Sequence, residues 1–442
     1  MTTRTTAITL RKIKYTKKYK KTKAFFNIIA NTYREMKNQQ LMIIGITITV
    51  LFITSAIIFY DSKMNNAIII NKEIKAQIQY DLWGYYNKEK VNRPTHAKSR
   101  SVMLLHAYVP FWNAGSEVCA HTVNRLLVQK GHEVWVGAPG YPYRLYEGVH
   151  LFDSDDRILL HSLMRYTHVL GTHSYRDKCI KLANTYGIAF VDWFHGGTYT
   201  KNARNETLIP NTNPRMWAAF NSSSLMEAHL NVVTDKTHIL RPPVDWHEYE
   251  IQSKLHQRKY VTLSNLNENK GGDILIEIAK AAPEIEFLGV RGSYWKQIED
   301  PTVENITYID NTPKIKEVYA VTKILIMPSI AETWGRTAVE AMSSGIPVIA
   351  APTPGLKECC EDAALFVERS NIDEWVRLIR RLANDQAFYD EYMNRGRARA
   401  KQLEPTHDLE MFLEWYETKV VPSADHSSSN HPTLLEKILD PL

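Results

Sequence analysis

From residue 101 to about 405 the chain alternates short apolar runs with stretches whose apolar residues recur at helical spacing, and no other feature narrows its fold as far. Strand-like runs separated by amphipathic helices predict βα units and a parallel sheet covered on both faces. Two units stand out because each puts a Gly-containing turn where a strand meets a helix. In the first, SVMLLHAYV (101–109) reads as a strand and PFWNAGSE as the loop, followed by a helix with Cys119, Ala120, Val123, Leu126 and Leu127 on one face. Ser116 is placed to cap that helix, Glu117 falls in its first turn, and Gly131 ends it before the strand EVWVGA. In the second, YVTLS (260–264) is the strand, NLNENKGG the loop, and the helix carries Ile274, Leu275, Ile278 and Ala279 ahead of IEFLGV. Two such starts about 160 residues apart predict two doubly wound domains facing a cleft. Ligands of such folds bind at the carboxyl ends of strands, where helix N-termini offer N–H groups to anions.

Charge is distributed unevenly. The formal net charge is +6, yet residues 1–40 hold eleven Lys and Arg against one acid, Glu35, so the remainder is net acidic. A nucleic-acid-binding face over the body is thereby excluded, because neutralising phosphates needs concentrated positive surface. Directly after this tail, residues 41–60 read LMIIGITITVLFITSAIIFY, without a charge. As a helix they would extend ~30 Å, about one hydrocarbon core, which predicts a transmembrane span. The excess of Lys and Arg before it orients the N-terminus to the cytoplasm, so the body is expected across the membrane. Three glycosylation triplets, at Asn205, Asn221 and Asn305, are compatible with that placement and too common to argue for it.

The expected layout is therefore a basic cytoplasmic tail (1–40), a transmembrane helix (41–60), a stem (61–100), an N-terminal Rossmann-like domain (101–243), a C-terminal one with a closing helix (244–421), and a polar disordered tail (422–442).

The most informative stretch is ILIMPSIAETWGRTAVEAMSSGIPVIAAPTPGLKE, residues 324–358. It reads as buried strand, turn, helix, a Gly345-Ile-Pro347 break and a second buried strand. Glu332 lies in the loop and Glu340 on the helix after it. Two carboxylates so placed can accept hydrogen bonds from different hydroxyls of one extended polyol, while N–H groups around Trp334, Gly335, Arg336 and Thr337 meet an anionic part.

These residues resemble the E-x7-E signature of the retaining family 4 glycosyltransferases, also called group 1, whose fold is the two-domain GT-B. The similarity also takes in the Pro328-Ser329 turn, the IPVIA run, the PGLKE loop, the Lys270-Gly271 turn and YVPFWNAGSE, all in order between residues 101 and about 405. It implies that Glu340 holds the ribose of a nucleotide-sugar, that Glu332 approaches the hydroxyls of the transferred sugar, and that Lys270 binds the donor diphosphate. Gly115 matches a glycine that lets backbone approach the reacting phosphate, with Glu117 in the same motif. His195, in AFVDWFHGGTY, resembles the active-site histidine near the transferring carbon. One residue departs from the pattern. Asn265 stands five residues before Lys270, where the family often has an arginine. Either Lys270 and helix N-termini suffice, or another cation such as Arg336 or Arg291 closes over the phosphates, or turnover is weak.

Asp153-Ser154-Asp155 is formally a metal-binding DxD pattern without its usual setting, and Cys359-Cys360 lacks zinc-ligand spacing. No metal or other cofactor is expected. The chain reads as a membrane-anchored glycosyltransferase that moves a sugar from a nucleotide-sugar donor to a glycan, lipid-linked or protein-linked acceptor with retention, the retention being implied by the resemblance alone. The alternatives are a nucleotide-sugar-binding scaffold and a GT-B-type epimerase or hydrolase.

Overall fold

The computed structural model describes residues 96–112, 114–195, 214–229, 234–251 and 258–425. The expected tail, span and most of the stem, together with the Asn205 triplet and residues 426–442, lie outside them; among the described residues no helix is long and apolar enough to cross a membrane.

The first half runs β1 (Arg100–Leu104), α1 (Gly115–Gln129), β2 (Glu133–Ala138), β3 (Arg144–Tyr146), β4 (Val149–Asp153), α2 (Arg157–Met164), β5 (Val169–Thr172), α3 (Arg176–Tyr186), β6 (Ala189–Phe194), β7 (Met216–Phe220), α4 (Ser223–Glu227) and β8 (Thr237–Ile239). The strands form one sheet in the order β3-β4-β2-β1-β5-β6-β7-β8, parallel except for the β3–β4 pair. Every residue of β1 is buried, as a strand covered on both faces requires. Val102 and Leu104 point into one apolar core and Met103 and Leu105 into the other, the period-2 alternation of a pleated strand.

The second half runs α5 (Trp246–Tyr249), β9 (Tyr260–Ser264), α6 (Gly272–Ala281), β10 (Phe287–Val290), β11 (Ile306–Ile309), α7 (Ile315–Val321), β12 (Thr322–Met327), α8 (Arg336–Ser343), β13 (Val348–Ala350), α9 (Pro354–Cys360), β14 (Ala364–Phe366), α10 (Ile372–Asn384), α11 (Gln386–Gln402) and α12 (Thr406–Trp415). Its sheet is parallel throughout, in the order β11-β10-β9-β12-β13-β14. Two doubly wound α/β domains of this kind make the GT-B architecture, as expected. The order reverses beside β9 and β12, and the loops leaving the carboxyl ends of these two strands carry Lys270 and Glu332.

Three details differ from the expectations. The first strand stops at Leu104, so the segment that enters α1 is longer than PFWNAGSE. Helix α1 begins at Gly115 behind Ala114, which makes no side-chain cap; the Ser116 hydroxyl instead donates to the Glu117 carboxylate at 2.7 Å. The closing helix α12 packs away from its own half of the sequence. Phe412, Trp415, Tyr416 and Val420 fill the core under the first sheet, beside Trp193 and Trp217. Aromatic side chains of that size supply much of the area that fastens the C-terminal segment to the N-terminal domain.

Candidate active site

Lys270 closes a 3₁₀ turn at the end of β9. Asn267 caps this turn by accepting from the Lys270 N–H at 3.0 Å, and Gly271 follows with φ 93°, a conformation that favours glycine. A β-carbon at Gly271 would also lie 2.6 Å from Pro328, so the turn and the loop after β12 can come together only with glycine there. Their approach is fixed by Ile330 N–H donating to the Asn269 carbonyl at 2.8 Å. The result is an ion pair between Lys270 Nζ and Glu332 Oε1, residues 62 apart in sequence. Ser329 Oγ donates to the same carboxylate oxygen at 3.1 Å.

Glu340 and Arg336 lie one helical turn apart on α8. Arg336 Nε meets Glu340 Oε1 at 2.7 Å, and the Tyr319 hydroxyl donates to Oε2 at 2.8 Å. The other guanidinium nitrogens go to the Pro243 carbonyl at 2.6 Å and the Tyr249 hydroxyl at 3.0 Å. Burial opposes the Arg336 charge, but Glu340, Cys119 and Tyr249 together outweigh it and hold the guanidinium above its ordinary pKa. Burial, with Glu340 close by, likewise pushes the Tyr319 phenol well up and that of Tyr249 to about 12. Arg336 is therefore engaged inside the protein by all three nitrogens. Trp334 is in the core under Arg241, whose guanidinium sits 5.7 Å from the ring centroid. With Trp334 and Arg336 so placed, what the 334–337 segment can present to an anion is backbone N–H and the half-buried Thr337 hydroxyl. Gly335 has φ 122° at the cap of α8, and the first-turn N–H groups of Arg336 and Thr337 follow it.

The N-terminal domain faces these groups directly. Gly115 opens α1, and a β-carbon there would stand 4.0 Å from Arg336 Cδ. Glu117 is buried, and the Tyr294 hydroxyl from the loop after β10 donates to it at 2.6 Å. His195 follows β6, partly buried. Loss of water around the ring, with His173 adding repulsion, pulls its pKa down to about 3, so the imidazole is neutral at physiological pH. Its carbonyl accepts from Thr333 Oγ1 at 3.0 Å and Asn221 Nδ2 at 3.3 Å, and Asn221 Nδ2 also reaches Thr333 Oγ1 at 2.7 Å. Thr333 is the neighbour of Glu332, so the domains touch beside the Lys270–Glu332 pair.

Neither cation offered as a substitute for the missing arginine is open to solvent on all sides. Arg291 is held by Glu299 at 2.7 Å and Asp310 at 2.8 Å, and Arg336 is committed as described. Asn265 itself adopts φ 71° and folds back, its Oδ1 accepting from the N–H and side chain of Asn267 at 3.2 and 2.9 Å. Asp153, the first acid of the DxD pattern, accepts from the Gly140 and Asp155 N–H groups at 2.8 and 2.9 Å. No group of three metal-ligating side chains gathers among the described residues. Two glycosylation triplets are structural. Asn221 is buried as above, and Asn305 Nδ2 donates to the carbonyls of Ala279, Ala282 and Ile285 at 3.0 to 3.1 Å. Neither amide is available to carry a glycan.

Sequence reading passed over His173, Asn221, Tyr249, Tyr294 and Tyr319. His173 and Asn221 left a usable signal, each standing immediately after a strand of the first sheet. Tyr249, Tyr294 and Tyr319 come from helices or loops brought near by folding.

Residues 248–402 match the family model of glycosyl transferases group 1. Among curated relatives, a D-inositol 3-phosphate glycosyltransferase of Mycobacteroides abscessus is 27% identical over 125 residues, 25% of this chain and 28% of that protein. An O-antigen chain mannosyltransferase B of Escherichia coli is 31% identical over 112 residues, 25% of this chain and 29% of that protein. The chain thus spans under a third of the length of these relatives. Solved structures align far more completely. Anabaena HepE in complex with UDP-glucose superposes with a TM-score of 0.58 at 16% identity, covering 72% of this chain and 99% of HepE. A sucrose-phosphate synthase of Thermosynechococcus elongatus reaches 0.59 at 13% identity, covering 74% of this chain and 100% of that one. The fold of these glycosyltransferase structures is the fold of this chain.

Proposed function

We propose that this protein is a glycosyltransferase that moves a sugar from a nucleotide-sugar donor to an acceptor hydroxyl, with retention at the anomeric carbon. The observation that carries the reading is the meeting of Lys270, Glu332 and the His195 carbonyl where the two domains touch, joined through Thr333. A fixed cation there stabilises the charge that grows on the departing diphosphate as the glycosidic bond breaks. Lys270 and the first-turn N–H groups of α8 hold that diphosphate. Glu332 orients the sugar, with Ser329 steadying the carboxylate. Glu340, held by Arg336 and Tyr319, supplies the ribose contact. The neutral His195 donates to or accepts from a hydroxyl near the reacting carbon without adding charge. A departing phosphate oxygen assists deprotonation of the acceptor, and the chemistry is positional and electrostatic, needing no metal.

The acceptor is a glycan, lipid-linked or protein-linked, presented at the membrane to which residues 41–60 anchor the chain, with its N-terminus in the cytoplasm. A second reading, a nucleotide-sugar-binding scaffold with little turnover, is favoured by Asn265, which places a neutral, self-bonded side chain where a second phosphate-binding cation would stand.

Nucleotide release by the full chain from a panel of UDP-, GDP-, ADP- and dTDP-sugars, with and without chelator, tests both. Release from one donor, indifferent to chelator and lost in Lys270→Ala, is the expected result. Glu340-dependent binding without release on any acceptor selects the scaffold, and neither binding nor release overturns the site.

A further inference from the structure

The carboxyl ends of β1, β5 and β6, neighbours in the first sheet, each carry a histidine within two residues: His106, His173 and His195. Only one pair is in ring contact. The His173 and His195 centroids are 5.7 Å apart with planes at 73°, an edge-to-face arrangement, and Trp193 lies nearly parallel to His195 on another side, 6.0 Å away at 11°. The His195 ring thus has the Trp193 indole and the His173 imidazole as its ring neighbours. Its own backbone is anchored by Asn221 and Thr333 through the carbonyl.

The backbone that carries His173 is equally restrained. Thr172 Oγ1 donates to the Leu104 carbonyl at 2.6 Å and accepts from the Ser174 and Tyr175 N–H groups at 3.0 and 2.9 Å. This closes a tight turn around His173. His173 Nδ1 lies 3.0 Å from Ser174 Oγ, whereas its Nε2 is buried with no hydrogen-bond partner among the described residues. The contact between the two rings is consequently one of packing and charge. A structure normally pairs a buried ring nitrogen, and leaving this one unpaired is costly.

We propose that His173 is a positioning residue for His195, holding the second imidazole in its orientation toward the transferring carbon. The proposal rests on His195 facing the reacting centre. The rings work as a neutral pair: burial lowers the pKa of His173, and any positive charge on either ring would repel charge on the other. The ionisable groups that face His173 are Glu117 from α1, which favours its protonation, and His106, which opposes it. At neutral pH both rings stay uncharged and remain in edge-to-face contact.

The test uses the full chain with ring-labelled histidine, the His195 signals being identified by their loss in His195→Gln. In the wild type the His195 ring stays neutral down to about pH 4. His173→Ala is expected to raise its protonation midpoint by a unit or more and to broaden its signals, while His173→Phe, which keeps a ring edge, leaves the signals narrow. An unchanged His195 titration in folded His173→Ala overturns the proposal. Nucleotide release from the donor that the panel selects gives the second arm. His173→Ala should lower kcat about tenfold with donor KM within twofold, His173→Phe should recover most of it, and in a His195→Ala background the same change should cost nothing further. Additive losses overturn the proposal. If His195→Ala alone keeps full turnover, the role of His195 falls instead, and the titration still reports whether His173 controls its ring.

Discussion

The Tyr294 hydroxyl donates at 2.6 Å to the carboxylate of Glu117, 177 residues earlier, and the Tyr294 ring stacks on Trp112 at 5.3 Å with planes 3° apart. One side chain of the donor-side domain thereby touches both the loop before α1 and the buried acid of its first turn. Gln297 delivers Tyr294 to that place. Its Oε1 accepts from Leu266 N–H and Gly292 N–H at 2.9 and 2.8 Å, and its Nε2 donates to the carbonyls of Tyr294 and Trp295 at 3.0 and 3.1 Å. The contact is a cross-cleft tie built from a loop that sequence periodicity does not describe.

Tyr294→Phe keeps the stacking and removes the donor. Glu117 is buried, so the loss should cost about 1–3 kcal/mol of stability. Denaturant unfolding of the variant beside the wild type measures it, and an unchanged midpoint would show the tie to be idle.

Lys270→Ala leaves the partly buried Glu332 carboxylate with Ser329 alone. Nucleotide release should fall about a hundred- to a thousandfold, the scale seen when one preorganised electrostatic contact is deleted. Lys270→Arg should rescue only in part, because a planar fork does not reproduce a point charge at the end of a flexible stem.

Glu340→Ala is expected to fail first as a structural change. It strands the Arg336 guanidinium in a buried site, a loss of about 3–5 kcal/mol. Tyr319→Phe removes one hydrogen bond to the same carboxylate and should cost about 1–3 kcal/mol. Circular dichroism and unfolding curves must therefore accompany any donor-binding measurement on these variants. A fully stable Glu340→Ala would show that the pair carries little of the fold.

Two buried histidines should cost the protein stability as pH falls below 6.5. Burial pulls His238, which stacks on Trp415, down to about 4 against an ordinary value of 6.5, and His195 further, to about 3. The unfolded chain therefore takes up protons that the folded one refuses. Stability from these groups is complete above pH 6.5 and is lost as pH falls from there toward the folded values. His238→Gln should flatten the slope of unfolding free energy against pH by about one proton between pH 4 and 6.5, and an unchanged slope would contradict the burial argument.

The span predicted at 41–60 has its own check. The full chain should sediment with membranes and resist extraction by high salt and carbonate, whereas a chain lacking residues 1–60 should not. Release of the full chain by carbonate would remove the anchor.

Much of the architecture was legible along the chain because a parallel strand buried on both faces must be apolar throughout. YVTLS and EVWVGA were bounded to the residue, and Gly271 announced the turn that carries Lys270. The E-x7-E spacing placed Glu332 in a loop and Glu340 on a helix, as found. Boundaries set by tertiary contact were not legible: Leu105, Ala107, Tyr108 and Val109 keep SVMLLHAYV apolar after the strand has ended at Leu104, because the domain buries them beyond the end of the strand.

The sequence by itself determined the two βα frameworks, their turns and the residue types carried at the strand ends, since periodicity and turn chemistry act over a few neighbouring residues. Tertiary structure alone decided the partners. It paired Lys270 with Glu332, brought Tyr319 onto Glu340, set His173 against His195 and sent α12 back under the first sheet. These contacts join positions tens to hundreds of residues apart, and their energy comes from desolvation and geometry that exist only once the strands lie side by side.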